Sequence, residues 1–546
     1  MADLRADYAI VGAGSAGCVV ADRLSEDGAQ VVLLEAGPTD WHPMIHVPAG
    51  ALHLRANPLV NWNYYAEPEE SIANRSLHWP RGWVLGGTSS INGMLYVRGN
   101  PADYDGWAQM GCRGWTYADV LPFFKKSERY EPGDTQYRGK SGPLLVEDFR
   151  TILPLTHCFV EAAQQAGFPL TRDYNGAVQE GVGYSQMTRN GRFRGSTART
   201  FLAEARRRPN LRVVTKAVAT RLVLDGSRCI GVSFWQNGQD NRVLTAREVV
   251  VSGGTVNSPH LLQVSGIGPA AHLQSIGVAV RHDLPGVGAN LSDHFAVRIT
   301  HRVRDEVSVN QLARGLRLVG EIGRYAATGR GALTFGVTTA MVFCRSREGL
   351  ESPDLQLLFT PGSYAPNGIG RLEREPGMTL VVCIARPDSR GTIMARSADS
   401  LDRPAIRPNY LSAASDVRAL LAGTGFARRI FAAPPLALHS AAETMPGADV
   451  QSDEALTAFL REAGTNLHHP VGTCRMGDDP MAVVDSRLRV RGLEGLRVVD
   501  ASVMPTVTTG NTNAPSIMIG EKGAAMIRED TSAFTSAGAA PSRSAV

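Results

Sequence analysis

A glycine-rich turn lies between two short apolar segments at the start of the chain. Residues 8–11 (YAIV) lead into GAGSAG at residues 12–17, a helical pattern follows over residues 15–25, and residues 31–34 (VVLL) end at Glu35. The order of strand, G-x-G-x-x-G, helix, strand and acid is typical of a Rossmann-type dinucleotide-binding unit. The sequence therefore predicts that the chain begins with such a unit.

Each part of this motif has a chemical reason. Gly12 permits the tight turn, Gly14 lets a pyrophosphate approach the backbone, and Gly17 lets the helix pack on the sheet. The helix N-terminus offers free N–H groups and the positive end of its dipole to phosphates. Glu35 can accept a hydrogen bond from a ribose hydroxyl and disfavours a 2′-phosphate, which argues against NADP. The motif alone leaves FAD and NAD both open.

Composition excludes several other classes of protein. The chain has 546 residues, enough for two or three domains, and its 57 glycines are dispersed. This argues against a chain that is disordered throughout, a fibrous protein and a disulfide scaffold. The net charge is 56 − 52 = +4 without a wide basic stripe, so no nucleic-acid partner is predicted.

Cysteine usage and hydropathy give expectations about location. Seven dispersed cysteines without a CxxC pair are typical of reduced thiols in a cytoplasmic protein, and no metal site is predicted. No signal peptide is evident, and no window of 18 uninterrupted apolar residues predicts a transmembrane helix. The Ser/Ala-rich residues 531–546 are expected to form a disordered tail.

Four further segments carry polar and glycine residues in short loops. They are residues 81–92 (RGWVLGGTSSIN), 254–259 (GTVNSP), 468–477 (HHPVGTCRMG) and 511–515 (NTNAP). The second follows an apolar strand at residues 249–251 and is expected to start a helix at Pro259. The last is expected to open the final helix.

With these motifs in this order, the sequence resembles the glucose–methanol–choline (GMC) family of flavin oxidoreductases along nearly the whole chain. Residues 254–268 match the second family signature throughout, and residues 82–105 match the first except at Trp83, where Arg or Lys is usual. Residues 284–291 (LPGVGANL) and 386–391 (RPDSRG) match as well. The resemblance implies FAD as the cofactor.

The resemblance also implies the fold. We expect an α/β protein, α+β overall, in which a Rossmann-like FAD-binding domain is interleaved with a substrate domain of antiparallel sheet plus helices. The expected FAD-binding domain comprises residues 1–155, 206–298 and 464–530, and the substrate-binding domain residues 156–205 and 299–463. Apolar patterns predict substrate-domain strands at 355–359, 378–384 and 392–395 and a helix at 416–431.

Cofactor-binding residues are carried over from the family by position. They are Gly12, Gly14, Ser15, Ala16, Gly17, Glu35, Ala36, Arg81, Gly86, Gly87, Ser89, Asn92, Gly93, Met94, Ala219, Asp500, Ala501 and Asn511. The choline-oxidase branch attaches FAD covalently to a His that precedes the Asn of the glycine-rich loop. Because that position is Ile91 here, the resemblance implies non-covalent FAD.

The catalytic pair follows from the same resemblance. His469, directly before Pro470, is the expected base, since a histidine titrates near working pH and can take the hydroxyl proton. Asn513, two residues before Pro515, is the expected partner that orients the alcohol oxygen. His468 is expected to have a packing or supporting role, and Asn511 to form the loop or neighbour the flavin.

Two further residues near these motifs are expected to be structural. His294 follows an N-L-S-D turn, and Cys474 is expected to be packed rather than nucleophilic.

The substrate is less constrained by the sequence. The family position that carries a Glu in choline- and sorbose-type relatives aligns with Thr339, which argues against choline, because a quaternary ammonium needs a carboxylate or an aromatic cage. Five residues suggest a neutral primary alcohol with a furan, aryl or apolar body, although core packing explains them equally: Phe335, Met341, Trp62, Tyr64 and Tyr65.

The sequence thus predicts a FAD-dependent oxidoreductase that converts an alcohol to an aldehyde. Electrons then pass to a carrier or quinone, or to O2, and a dehydrogenase is favoured. Three alternatives stay open: an aryl-alcohol or hydroxymethylfurfural type of oxidase producing H2O2, a hydroxynitrile lyase with structural FAD, and a flavin-binding interaction protein without activity. No oligomeric state is predicted.

Overall fold

Helices occur along the whole described chain. The computed structural model describes residues 3–365 and 371–538. Its α-helices are α1 Gly17–Ser25, α2 Pro43–His46, α3 Ala51–Leu54, α4 Pro101–Gln109, α5 Tyr117–Ser127, α6 Pro154–Gln165, α7 Ala203–Ala205, α8 Gly254–Val264, α9 Ala270–Ser275, α10 Val309–Leu312, α11 Gly315–Thr328, α12 Ala414–Ala432, α13 Pro434–Ala437, α14 Asp453–Ala463 and α15 Asn513–Gly538.

The strands alternate with these helices. They are β1 Leu4–Val11, β2 Val31–Leu34, β3 Tyr64–Tyr65, β4 His78–Trp79, β5 Glu128–Arg129, β6 Leu144–Asp148, β7 Gly181–Tyr184, β8 Gln186–Asn190, β9 Phe193–Arg194, β10 Leu211–Val214, β11 Val218–Asp225, β12 Arg228–Gln236, β13 Gln239–Val251, β14 Ile267–Gly268, β15 His282–Asp283, β16 Phe295–Val303, β17 Ala340–Cys344, β18 Leu355–Thr360, β19 Gly377–Ile384, β20 Thr392–Met394, β21 Ala405–Arg407, β22 Ser440–Met445, β23 Thr465–Asn466 and β24 Leu496–Val498.

The first large sheet is built on parallel strands. Its order is β10-β2-β1-β13-β12-β11, and β24 pairs with β13. The strands β10, β2, β1, the end of β13 and β24 run parallel, whereas β12 pairs antiparallel with β11 and β13. The apolar residues of β1 and β2 are buried on both sides, as expected for strands covered by helices on both faces. The predicted Rossmann-like sheet is confirmed.

The second large sheet is antiparallel. Its order is β22-β16-β19-β18-β17-β7, and β23 pairs with β16. α12 packs against β19, and α6 packs against β17 and β18. The combination of a Rossmann-like sheet with an antiparallel sheet and helices confirms the predicted fold class. β16 spans the expected domain boundary at residues 298 and 299, and the exact domain boundaries stay predictions.

Two predicted helix limits differ from the structure by five residues or more, and the other predicted helix limits lie within two residues of the observed ones. α8 begins at Gly254, not at Pro259, because the Asp500 carboxylate accepts hydrogen bonds from the Gly254 N–H and the Ser258 hydroxyl and so caps the helix earlier. α15 continues to Gly538, eight residues into the expected disordered tail, since adding residues to an established helix requires no new nucleation. Residues 539–546 lie outside the described residues.

No helix within residues 3–365 and 371–538 is both long and apolar enough to cross a membrane.

Candidate active site

A cavity of about 600 Å³ runs from the parallel sheet to the antiparallel sheet. The loops after β1, β2, β13 and β24 open into it, at the carboxyl ends of the parallel strands, where doubly wound sheets bind their ligands. Both expected catalytic residues line it, and so do these expected cofactor-binding residues: Gly12, Gly14, Ser15, Ala16, Glu35, Ala36, Arg81, Gly87, Asn92, Gly93, Met94, Ala219, Asp500, Ala501 and Asn511.

Three expected cofactor-binding residues lie behind the cavity wall instead. A Cβ at Gly17 would meet the Gly12 carbonyl oxygen at 1.9 Å, so Gly17 serves close packing of α1 on the turn. Gly86 has a φ of +86°, a conformation that favours glycine. The Ser89 hydroxyl donates to the Gly86 carbonyl at 2.6 Å. These three residues shape the two glycine loops rather than the cavity surface.

Glu35 lines the cavity, and its carboxylate accepts hydrogen bonds from the backbone. Its Oε2 accepts from the Ala13 N–H and its Oε1 from the Gly37 N–H, both at 2.9 Å. Burial raises the pKa of the Glu35 carboxyl to about 7, against the opposing effect of these two donors. The carboxyl group is therefore held in a fixed orientation beside the first glycine loop.

The loop that carries the expected base is docked onto α8 by two threonines. Pro259 has no N–H, so the Thr255 carbonyl loses its helical partner and accepts instead from the Thr473 hydroxyl at 2.7 Å. The Thr255 hydroxyl donates in turn to the Pro470 carbonyl at 2.7 Å. These two hydrogen bonds fix Pro470 and Thr473, which lie on either side of Val471 and Gly472. They therefore position the loop directly after His469.

Asp293 fixes the backbone of the expected base. Its Oδ1 accepts from the His469 N–H at 2.7 Å, and its Oδ2 accepts from the Tyr410 hydroxyl at 2.6 Å. Burial raises the pKa of the Asp293 carboxyl to about 6.

The His469 ring lies between His294 and Asn511. Its Nδ1 is 3.0 Å from Nδ1 of His294, and its Nε2 is 2.9 Å from Nδ2 of Asn511. His294 Nε2 is 3.0 Å from the Ala385 carbonyl oxygen, which can only accept, so this nitrogen carries the His294 proton. Burial lowers the pKa of His294 to about 4, so its ring is neutral and its Nδ1 is an acceptor.

This chain of bonds determines the tautomer of His469. Because His294 Nδ1 accepts, His469 Nδ1 donates, and the lone pair of His469 is left on Nε2. Burial, with the nearby His294 ring and the Arg81 guanidinium, lowers the pKa of His469 well below its usual value. His469 therefore presents an unprotonated Nε2 to the cavity beside the Asn511 amide. The contact with the His469 ring gives His294 a role beyond the purely structural one that the sequence suggested.

The asparagine beside the His469 ring is Asn511, two residues before the expected Asn513. The Asn513 Oδ1 accepts from the Ser15 hydroxyl at 2.8 Å, on the side of the first glycine loop. Asn511, expected only to form the loop or neighbour the flavin, is the asparagine that contacts the His469 ring. Asn513 does not contact the His469 ring in this geometry, because its side chain lies against the glycine loop, and its catalytic role stays a prediction.

His468 also lines the cavity. It has a φ of +63°, its carbonyl accepts from the Arg81 NH2 at 2.6 Å, and its Nε2 contacts the Arg55 guanidinium. Cys474 is buried, and burial raises the pKa of its thiol well above the usual value, so it has no thiolate character.

Of the residues expected to shape the substrate site, two line the cavity and the others do not. Trp62 and Tyr64 line the cavity, with their ring centroids 5.6 Å apart. Phe335 and Met341 are packed in hydrophobic clusters, and Tyr65 is exposed. Thr339 lies behind the wall, where its hydroxyl is 2.9 Å from that of Thr156.

Three cavity-lining residues were not predicted from the sequence: Arg55, Arg298 and Tyr364. The part of the cavity that they line is called the substrate side. A faint signal was the arginine at position 298, in a strand whose first five residues are otherwise apolar.

The sheet order, the two glycine loops and the half-buried histidine–asparagine pair together define a dinucleotide-dependent oxidoreductase. Residues 6–296 and 387–520 match the N- and C-terminal parts of the GMC oxidoreductase family. The chain belongs to this family.

Curated relatives align over nearly the whole chain. An alcohol dehydrogenase [acceptor] of Pseudomonas putida is 43% identical over 95% of each chain. The mitochondrial choline dehydrogenase of Homo sapiens is 42% identical over 95% of this chain and 89% of its own length.

Solved structures agree with the fold. The pyridoxine 4-oxidase from Mesorbium loti superposes with a TM-score of 0.87 and 29% identity over 96% of this chain and 99% of its own. A fungal aryl-alcohol oxidase gives a TM-score of 0.85 and 25% identity over 97% and 100%.

The cavity fits FAD, the cofactor of this family. A Cβ at Gly14 or at Gly254 would have no heavy atom within 4 Å, so the backbone at both lies open to the cavity. A Cβ at Gly87 would meet the Gly14 Cα at 2.7 Å, which shows that the two glycine loops touch. The lining includes both Glu35 and His469, so a molecule with a ribose half and a redox half finds a group for each half in one cavity.

Proposed function

We propose that this FAD-dependent enzyme oxidises the CH–OH group of an alcohol to a carbonyl, with His469 as the base and Asn511 as its partner. The observation that carries the proposal is the half-buried His469 ring, whose lone pair is directed by His294 onto Nε2, 2.9 Å from the Asn511 amide. Bound FAD supplies the hydride acceptor.

The two side chains act on one oxygen. An alcohol whose oxygen accepts from the Asn511 N–H can donate its proton to His469 Nε2, because both groups converge at the same place. Since burial disfavours the imidazolium, Nε2 is unprotonated at neutral pH and available as the base. Asn511 holds the oxygen in position while its negative charge develops.

Residues of both glycine loops would hold the cofactor without a covalent bond. Gly12 and Gly14 would approach the pyrophosphate and Glu35 the ribose, while Asn92 and Gly93 would line the redox half. The position that carries a histidine in covalent relatives is the buried Ile91, which has no nucleophilic atom. Acid precipitation should therefore release all flavin into the supernatant, and flavin retained in the pellet would contradict this part of the proposal.

We further propose that the electron acceptor is a carrier or quinone rather than O2. The support is the name of the similar protein from Pseudomonas putida, an alcohol dehydrogenase [acceptor]. The checking experiment compares reoxidation of the substrate-reduced enzyme by air and by a quinone analogue, and faster reoxidation by air would contradict the proposal.

Anaerobic mixing with a panel of alcohols tests the main proposal. A productive alcohol should bleach the flavin absorbance, and His469→Ala should lower the rate of bleaching by about 10²–10⁴-fold, the usual contribution of a general base. His157→Ala, at an exposed histidine, is the matched control. A panel that leaves the flavin oxidised, or unchanged bleaching in His469→Ala, would overturn the proposed function; cyanohydrin cleavage without bleaching would indicate a lyase.

A further inference from the structure

Two arginines line the substrate side of the cavity. Arg55 follows α3, and Arg298 lies on β16 opposite Val381 of β19, which lines the same wall. The Arg298 guanidinium carbon is 5.3 Å from the centroid of the Tyr364 ring, which also lines the cavity. Arg55 and Arg298 are here called the arginine pair.

The arginine pair is half-buried and lacks the carboxylate partner that three fully buried arginines of this protein have. Arg98 and Arg138 pair with Glu128, and Arg497 pairs with Glu248. Within residues 3–365 and 371–538, neither member of the arginine pair has an ion pair with a carboxylate. A partly desolvated charge is stabilised by an opposite charge nearby, and no carboxylate of the described residues supplies one here.

Both guanidinium groups also have N–H donors without a hydrogen-bond partner among the described residues. Arg55 contacts Nε2 of His468, whereas its Nε has no partner. The Arg298 guanidinium lies over the Tyr364 ring and donates no hydrogen bond to the described part of the chain. The fully buried Arg194 also has no carboxylate partner, but its guanidinium donates to the carbonyls of Ile45 and Asn92.

No carboxylate within residues 3–365 and 371–538 forms an ion pair with either arginine. Of the acidic residues that line the cavity, Glu35 and Asp500 accept from backbone N–H groups, and Asp402 is exposed. The segments outside the described residues, 1–2, 366–370 and 539–546, contain no Asp or Glu. Burial, and then the positive charge of Arg298, lowers the pKa of Arg55 to about 9, so the two groups repel each other.

We infer that the arginine pair binds an oxyanion carried by the alcohol substrate, so that the substrate class is hydroxy acids or alcohol phosphates. Planar guanidinium groups match the two oxygens of a carboxylate or phosphate, and such an anion would relieve the repulsion between the arginines. His468 joins the arginine pair to the base, because it contacts Arg55 and directly precedes His469. The inference rests on the proposed alcohol oxidation and differs from the neutral alcohol that the sequence suggested.

A matched substrate series on the holoenzyme tests this inference. It compares ω-hydroxy acids, the corresponding α,ω-diols and the monophosphates of those diols at equal chain length, by anaerobic flavin reduction. We expect kcat/KM for an anionic member to exceed that for its diol by about tenfold or more, the effect of a charge-assisted hydrogen bond at a desolvated site. The better of the carboxylate and phosphate arms identifies the anion.

Variants of the pair separate anion binding from catalysis in general. Arg298→Met and Arg55→Met should each lower the ratio of kcat/KM for the anionic alcohol to that for the diol by about 10- to 100-fold. Arg317→Met removes an equal charge from an exposed position on α11 and should leave this ratio as in the wild type.

A competition experiment on the wild-type enzyme keeps the test informative if the variants do not fold. A dicarboxylate without a hydroxyl group should raise KM for a diol without changing kcat. Diols that bleach the flavin as well as the anionic alcohols, with no competition by dicarboxylates, would overturn the inference and leave the proposed function standing. If no alcohol of any class bleaches the flavin, the proposed function itself fails.

Discussion

At the scale of single residues, two asparagines at the start of α15 face different parts of the cavity. Asn511 lies against the His469 ring, and Asn513 is bonded to Ser15 of the first glycine loop. Asn511→Ala removes the donor that would hold the alcohol oxygen as charge develops, so we expect the limiting rate of flavin reduction to fall by about 10²–10³-fold. Stopped-flow anaerobic reduction measures this rate.

Asn513→Ala is the matched variant for this comparison. It removes an amide of the same size from the same segment, and its principal effect should be on FAD affinity, through the lost bond to Ser15. Titration of the apoprotein with FAD measures that affinity. If Asn513→Ala lowers the rate of flavin reduction more than Asn511→Ala does, the assignment of the partner to Asn511 is wrong.

The basicity of His469 leads to a prediction about pH. Burial, His294 and Arg81 hold the pKa of His469 well below the ordinary 6.5. A base acts when unprotonated, so activity is lost as the pH falls through the lowered pKa, and the rate of flavin reduction should stay flat through pH 6.5. A pH series with a diol, which has no titratable group of its own, checks this. A half-maximal rate at or above pH 6.5 would contradict it.

At the scale of secondary-structure elements, the position of the His469 loop depends on α8. Thr473→Val would leave the buried Thr255 carbonyl without a partner, because Pro259 has no N–H to offer. We expect a loss of about 1–3 kcal/mol in the free energy of unfolding, together with slower flavin reduction. Urea unfolding followed by circular dichroism and stopped-flow reduction measure the two effects.

Thr424→Val provides the control for the lost hydroxyl. The Thr424 hydroxyl is buried in α12 and donates to the Leu420 carbonyl, which retains its helical N–H partner. This variant should therefore lose less stability and leave flavin reduction unchanged. Equal losses in both variants would mean that the Thr255 carbonyl has no special need for Thr473.

The same elements show what the sequence could predict. The turn at Gly12 and the acid at Glu35 follow from local backbone requirements within one strand–helix–strand unit, so their positions could be read directly. The start of α8 depends on Asp500, which lies far along the chain, and local pattern alone placed the start at Pro259. Long-range capping of this kind leaves no signal next to the helix.

The candidate site likewise contains residues that a local motif locates and residues that only the tertiary structure brings together. His469 belongs to a segment with a dense local motif, and its place in the cavity agrees with that motif. The choice between Asn511 and Asn513 depends on where α15 begins, within two residues, which is finer than a propensity argument resolves. Arg55 and Arg298 come together only because separate segments pack around one cavity, so no spacing in the sequence marks them.

At the scale of the whole molecule, segments from the N-terminal, middle and C-terminal parts of the chain meet at the cofactor site. Gly14 from the N-terminal part, Gly254 from the middle and Ala501 from the C-terminal part line the same cavity. Arg23 of α1 and the buried Glu521 of α15 form a two-point ion pair, with N···O distances of 2.9 and 2.7 Å. A ligand in this cavity therefore contacts segments that are distant along the chain.

FAD should accordingly stabilise the whole fold. A ligand that binds the native state alone adds about 2.7 kcal/mol when its free concentration is 100 times Kd. We expect the apoprotein to unfold at a lower temperature than the holoenzyme and added FAD to restore the difference, with circular dichroism as the measurement. FMN, which lacks the half that would reach Glu35, should restore less. Equal unfolding temperatures with and without FAD would mean that the cavity does not join these segments through the cofactor.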